Sequence, residues 1–143
     1  PYGAPTNNEP AMQPSAPRSN APASNASGSA PSSGSNTQAV AALLSSASES
    51  VSAGQLDKAA ASLERALRIE PRNAGIWHDL AQIRLHQRQY QQAESLATKS
   101  NSLASGNRSL QARNWTVIGA ARRAAGDGAG ADAAEAQATT LKR

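Results

Sequence analysis

The stretch GQLDKAAASLERALRIEP, residues 54–71, opens on glycine, closes on proline and places Ala59, Leu63, Ala66 and Leu67 at helical spacing. Small and apolar residues at this interval make one face of an amphipathic helix, and the flanking Gly54 and Pro71 punctuate its ends. Laid over the rest of the chain, the stretch recurs. Ala59 to Ala93 and Leu43 to Trp77 are both 34 residues, whereas Trp77 to Trp115 and Ala93 to Ala131 are both 38. Two independent landmarks shift together, so four extra residues, about one helical turn, lie between Ala93 and Trp115. SLASGNRSLQ, residues 102–111, with Gly106 and Asn107 marking a turn, is the expected place.

A period of 34 residues built from paired helices resembles the tetratricopeptide repeat. The best copy carries Trp77, Leu80 and Ala81 at the landmark positions of the first helix and Ala93 in the second, where Ala97 stands at a site usually held by a larger residue and Tyr90 at one that often holds an aromatic. The next copy has Trp115, Ile118, Gly119 and Ala131. The first is strong in its second half, where Gly54, Ala59, Leu63 and Pro71 stand, and weak where Leu43, Ser46 and Ala47 replace the landmarks.

The expected fold is therefore all-α: three helical hairpins in a short right-handed solenoid, with helices near 38–53, 55–70, 74–87, 90–105, 108–125 and 128–142. Asn73 is placed to cap the third helix. Ala59, Ala66, Ala81, Ala93 and Gly119 permit close helix approach, and Trp77 and Trp115 fill wider gaps between pairs. Gly54 and Gly126 fall where a pair turns and the backbone goes left-handed; Arg88 occupies that site in the middle copy, at some cost in stability.

Residues 1–37 are almost wholly Pro, Ser, Asn, Ala, Gly, Thr and Gln; their charges, Glu9 and Arg18, cancel, and Tyr2 and Met12 are their only large apolar side chains. Such a segment cannot offset the entropy of ordering, so it reads as a disordered tether ahead of a domain at 38–143, or as a passive low-complexity tail. Its r.m.s. reach is on the order of 35 Å. The net charge is +4, and from Arg72 to Arg123 eight basic residues face the two acids Asp79 and Glu94. That excess suits either an acidic partner or a solvated helix face.

Catalysis finds no foothold. There is no cysteine, phosphate loop or nucleophile elbow. His78 and His86 lie about 12 Å apart along one helix, too far to share a metal ion. The sequence reads as a non-enzyme with no cofactor and no metal. Three Asn-X-Ser/Thr matches, at Asn25, Asn107 and Asn114, are read as chance.

In tetratricopeptide stacks the first helix of each pair lines a concave groove. That resemblance implies a groove of His78, Gln82, Leu85 and His86 from the third helix, Arg113, Thr116 and Arg123 (with Ala120) from the fifth, and Leu44, Ser48 and Val51 from the first. Apolar at one end and basic at the other, it would take a protein segment with an apolar anchor followed by acidic residues. The competing reading is that Leu44 and Val51 pack together and the arginines are solvated. Family members that clamp a chaperone's C-terminal carboxylates use Lys and Asn at groove sites where this chain has Leu44, Ser48 and Asp79, so the clamp is missing.

A tether followed by a short Ala- and Arg-rich stack resembles the bacterial outer-membrane lipoproteins that activate bifunctional peptidoglycan synthases, the class A penicillin-binding proteins. The resemblance implies a periplasmic module held by an N-terminal lipid lying upstream of Pro1, a protein partner, no nucleic acid, and no membrane contact beyond the anchor. Two other classes fit the residues: an assembly chaperone or pilotin-like lipoprotein of a secretion or pilus system, and a binder of nucleic acid or an anionic wall polymer, against which the lack of Phe argues.

Overall fold

The computed structural model describes residues 32–143. The expected tether lies, as far as residue 31, outside the described residues. Six helices follow one another: α1 (Ser32–Ser52), α2 (Leu56–Ile69), α3 (Ala74–His86), α4 (Tyr90–Leu103), α5 (Arg108–Ala124) and α6 (Gly128–Lys142), with no strand among the described residues. The chain divides into two units, Pro1–Gln38 and Ala39–Arg143, and the stack of hairpins is the second. Helix α1 begins ahead of the expected residue 38. Nothing apolar occurs before Ala39 in its first turns, so no periodicity reveals them.

The three hairpins turn by one device. Gly54 (φ 75°), Arg88 (φ 66°) and Gly126 (φ 92°) are left-handed. The following amide reaches back across the helix end in each case, from Gln55 to Ser50, Gln89 to Arg84 and Asp127 to Arg122, all at 2.8 Å. This is the Schellman arrangement that satisfies the last carbonyls of a helix. At the opposite ends, side-chain oxygens of Asn73, Asn107 and Asp127 accept from the amides of Ile76, Leu110 and Gly130 and cap α3, α5 and α6.

The four extra residues are the helical turn expected of them. Helices α2 and α4 each have 14 residues, while α5 has 17 against the 13 of α3. The start of α5 keeps the 34-residue shift from α3, and only from Trp115 onward does the shift become 38. The insertion therefore sits in the first turn of α5, where Leu110 is buried and Arg108 donates to the Thr140 carbonyl of α6 at 3.3 Å.

Two apolar cores hold the stack. Val40 and Ala47 of α1 meet Leu63 and Ala66 of α2 and Ile76 and Leu80 of α3 in the first; Ala81, Ala93, Ala97, Val117, Ile118 and Ala134 form the second. Ala59, Ala66, Ala81 and Ala93 have no exposed surface, the condition for neighbouring helices to approach closely. A methyl group on Gly119 would stand 3.1 Å from Glu135 Cγ and 3.4 Å from the Ala131 carbonyl, so α5 and α6 touch there. Trp115 packs against the second core. Trp77 stays half-buried: its indole donates to the Pro71 carbonyl at 2.8 Å, and the Lys99 ammonium sits 5.8 Å from its ring centre, within cation–π range.

Candidate functional site

Over the first core a cleft of about 370 Å³ lies between α1 and α3, with α2 residues at its base. Its apolar wall is Leu44, Val51, Leu56, Leu63 and Ile83, and its polar rim is Ser48, Asp79, Gln82 and His86. Val51 is 45% exposed, the large hydrophobic side chain the described fold leaves open. The cleft thus brings together Leu44, Ser48, Val51, Gln82 and His86 of the expected groove. Another cleft of about 410 Å³, beside Leu80 and Leu96, is more open and carries the Arg84–Glu64 ion pair on its edge.

His78, Leu85, Thr116 and Arg123 do not belong to that cleft, and Arg113 only borders a neighbouring one. His78 is 2% exposed and bonded between helices: its Nδ1 lies 2.8 Å from Asn114 Oδ1. Asn114, fully buried, donates from Nδ2 to Ser100 Oγ and Asn101 Oδ1, and Ser100 donates on to the Ala74 carbonyl. With both amide hydrogens committed, Asn114 Oδ1 can only accept, so His78 Nδ1 carries the proton. The ring is a strut between the second and third hairpins rather than a groove contact. Burial of Asn114 also closes its glycosylation match. Leu85 packs half-buried on the second core, and the Thr116 hydroxyl donates to Ala112 of its own helix.

Arg123 is turned to α6, pairing with Asp132 at 2.8 Å and Glu135 at 3.0 Å. These acids stand nine and twelve residues downstream, beyond the stretch whose positive excess suggested a basic groove. Arg84 likewise pairs with Glu64 of α2 and Arg122 with Glu94 of α4. Of the two arginines expected at the basic end of the groove, Arg123 is thus neutralised and Arg113 forms no ion pair.

Asp79, absent from the expected groove, is the residue that lines both the α1/α3 cleft and a second, polar cleft of about 450 Å³ between the N-terminal halves of α3 and α5, where His78 and Arg113 also lie. It makes no hydrogen bond or ion pair among the described residues. Asp79 keeps access to solvent, yet the helices around it remove enough water to push its carboxyl above the usual aspartate range, with His78 and Arg113 pulling the other way. The signal was present: Asp79, Gln82 and His86 are spaced i, i+3 and i+7 on one helical stripe. Among the described residues no three His, Cys, Asp or Glu side chains gather as a metal site, and no helix is long and apolar enough to cross a membrane.

Residues 50–101 match the family model of the tetratricopeptide repeat. Among solved structures, the globular C-terminal domain of P. aeruginosa LpoP is 45% identical, with a TM-score of 0.69, over 70% of this chain and 94% of that one. The N-terminal domain of stress-induced protein-1 (STI-1) from C. elegans reaches the same TM-score, 0.69, at 15% identity, over 74% of this chain and 86% of its own, a likeness of fold alone. No curated protein sequence matches the chain.

Proposed function

We propose, because the chain belongs to the tetratricopeptide-repeat family and is a relative of the LpoP globular domain, that this protein-binding module activates a class A penicillin-binding protein by contact. The module does no chemistry of its own. It is carried in the periplasm by an N-terminal lipid in the outer membrane, and its binding shifts the synthase toward a conformation competent for glycan polymerisation. The observation that supports this reading is the 45% identity over 94% of the LpoP domain. The contact surface we assign is the concave cleft between α1 and α3, with Leu44, Ser48, Val51, Gln82 and His86 on it.

The test is the glycan polymerisation rate of a purified synthase with and without the full chain. Couplings between sites are typically about 1–3 kcal/mol, so a rise of about 5- to 150-fold is the expected range. Tight binding with an unchanged rate would reduce the module to a scaffold. The apolar wall of the cleft favours a second reading, an escort for a secretion or pilus subunit, which predicts binding to that subunit and no effect on the synthase.

A further inference from the structure

The α1/α3 cleft and Asp79 specify what kind of segment this surface accepts. The cleft offers an apolar pocket large enough for one branched or aromatic side chain, with Val51 left exposed beside it. Asp79 is the carboxylate on a rim otherwise made of His86 and of Ser48 and Gln82, which can both donate and accept. That carboxylate makes no hydrogen bond or ion pair among the described residues, although His78 and Arg113 act on it electrostatically. His86 Nδ1 lies 2.8 Å from the Gln82 carbonyl, which can only accept, so Nδ1 carries a proton and is committed to its own helix. Helix α1 carries a single charge, Glu49, and no basic residue. Arg113 lines the α3/α5 cleft on the far side of Asp79 and not the apolar pocket, and it forms no ion pair with the carboxylate. No arginine or lysine lines the pocket; Arg84, Arg122 and Arg123 are paired with Glu64, Glu94 and the α6 acids, and Arg88, in the turn after α3, has no ion pair and lies outside the lining.

We infer that the concave face selects a protein segment in which an aliphatic or aromatic anchor is accompanied, within about one helical turn, by lysine or arginine: the anchor fills the α1/α3 pocket and the cation pairs with Asp79. This reverses the acidic partner expected from composition. It rests on the reading that the concave face is the contact surface and names the chemistry of what binds there. The cation replaces water already partly stripped from the carboxylate, so the pair costs less desolvation than one assembled from two fully hydrated ions.

The test uses an array of 12-residue peptides, each with a central leucine or phenylalanine and with lysine, alanine or glutamate at successive offsets, probed with the full chain. Lysine peptides should bind about three- to tenfold more tightly than glutamate peptides at the best offset. Asp79→Asn, which keeps the side chain's shape, should erase the preference, Asp79→Lys should invert it, and Val51→Asp should weaken every peptide, with thermal melts confirming that each variant is folded. Absence of peptide binding, a preference for glutamate, or a lysine preference that survives Asp79→Asn overturns the inference. Failure to stimulate a synthase while the Asp79-dependent preference holds would overturn the proposed function and leave this one standing.

Discussion

Replacing Asn114 by alanine should destabilise the module more than any surface substitution. The side chain is fully buried and makes three hydrogen bonds, to His78 at 2.8 Å, Ser100 at 2.8 Å and Asn101 at 3.0 Å. Each bond contributes a net of about 1 kcal/mol, and a buried donor left without an acceptor, here His78 Nδ1–H, costs about 1–3 kcal/mol. Together with the cavity, the loss comes to about 3–5 kcal/mol, a large share of the 5–15 kcal/mol that holds a typical domain. For a domain of this size the thermal midpoint should fall by about 15–25 °C. Urea titration followed by circular dichroism measures the change, and a cycle with His78→Ala should show a coupling of about 1–3 kcal/mol. Asn101→Ala, at a half-exposed position, should cost less than about 1 kcal/mol. A loss below about 1 kcal/mol for Asn114→Ala, or additive behaviour with His78→Ala, would refute the account of this strut as the join between hairpins.

Arg88→Gly should stabilise the chain by about 0.5–1 kcal/mol in urea titrations, because a left-handed arginine gives way to a residue that adopts the conformation freely, offset by the entropy glycine adds to the unfolded chain. Arg123→Gln should lower the thermal midpoint slightly, by loss of the pairs to Asp132 and Glu135, and leave synthase affinity unchanged; a fall in affinity would return Arg123 to the contact surface. Asp79 binds its proton more tightly in the folded than in the unfolded chain, so its contribution to stability declines as pH rises through the aspartate range. Asp79→Asn should therefore raise the midpoint at neutral pH, and the gain should vanish in acid below the ordinary aspartate value; a constant gain at all pH values would show that burial of charge is not its cause.

The hairpin architecture was legible because it is local. Helix period, the turn sites at Gly54, Arg88 and Gly126, and the cap at Asn73 depend on residues a few positions apart. The site was less legible because it is built from pairs distant in sequence. His78 shares the groove-facing stripe of α3, and only its bond to Asn114, 36 residues on, turns it into a buried strut. The extra turn of α5 was readable too, because the helix expected at 108–125 is four residues longer than the one expected at 74–87, and Gly106 and Asn107 mark the turn ahead of it. Arg123 was misplaced for a reason related to that of His78: its two acids lie on the next helix of its own hairpin, a pairing that a helical wheel of α5 alone does not display. Asp79 was within reach, but its agreement with Gln82 and His86 was overshadowed by its disagreement with a carboxylate clamp.

Net charge and surface charge part company in this fold, and the difference bears on the partner. Arg84, Arg122 and Arg123 each cross from the first helix of a hairpin to an acid on a second helix, 2.8–3.0 Å away, so three of the eight basic residues counted from Arg72 to Arg123 work as staples between helices. Exposed pairs of this kind contribute little individually, and their larger effect is on where unpaired charge remains. What remains on the rim of the apolar pocket is one carboxylate that makes no hydrogen bond or ion pair among the described residues, open to solvent yet partly desolvated by the helices beside it. A positive formal charge of +4 then argues for anionic polymers only at distances beyond the Debye length of about 8 Å, where salt screens it. At contact distance Asp79 is the carboxylate on the rim, so a cationic group on the partner is the complement the peptide array should find there.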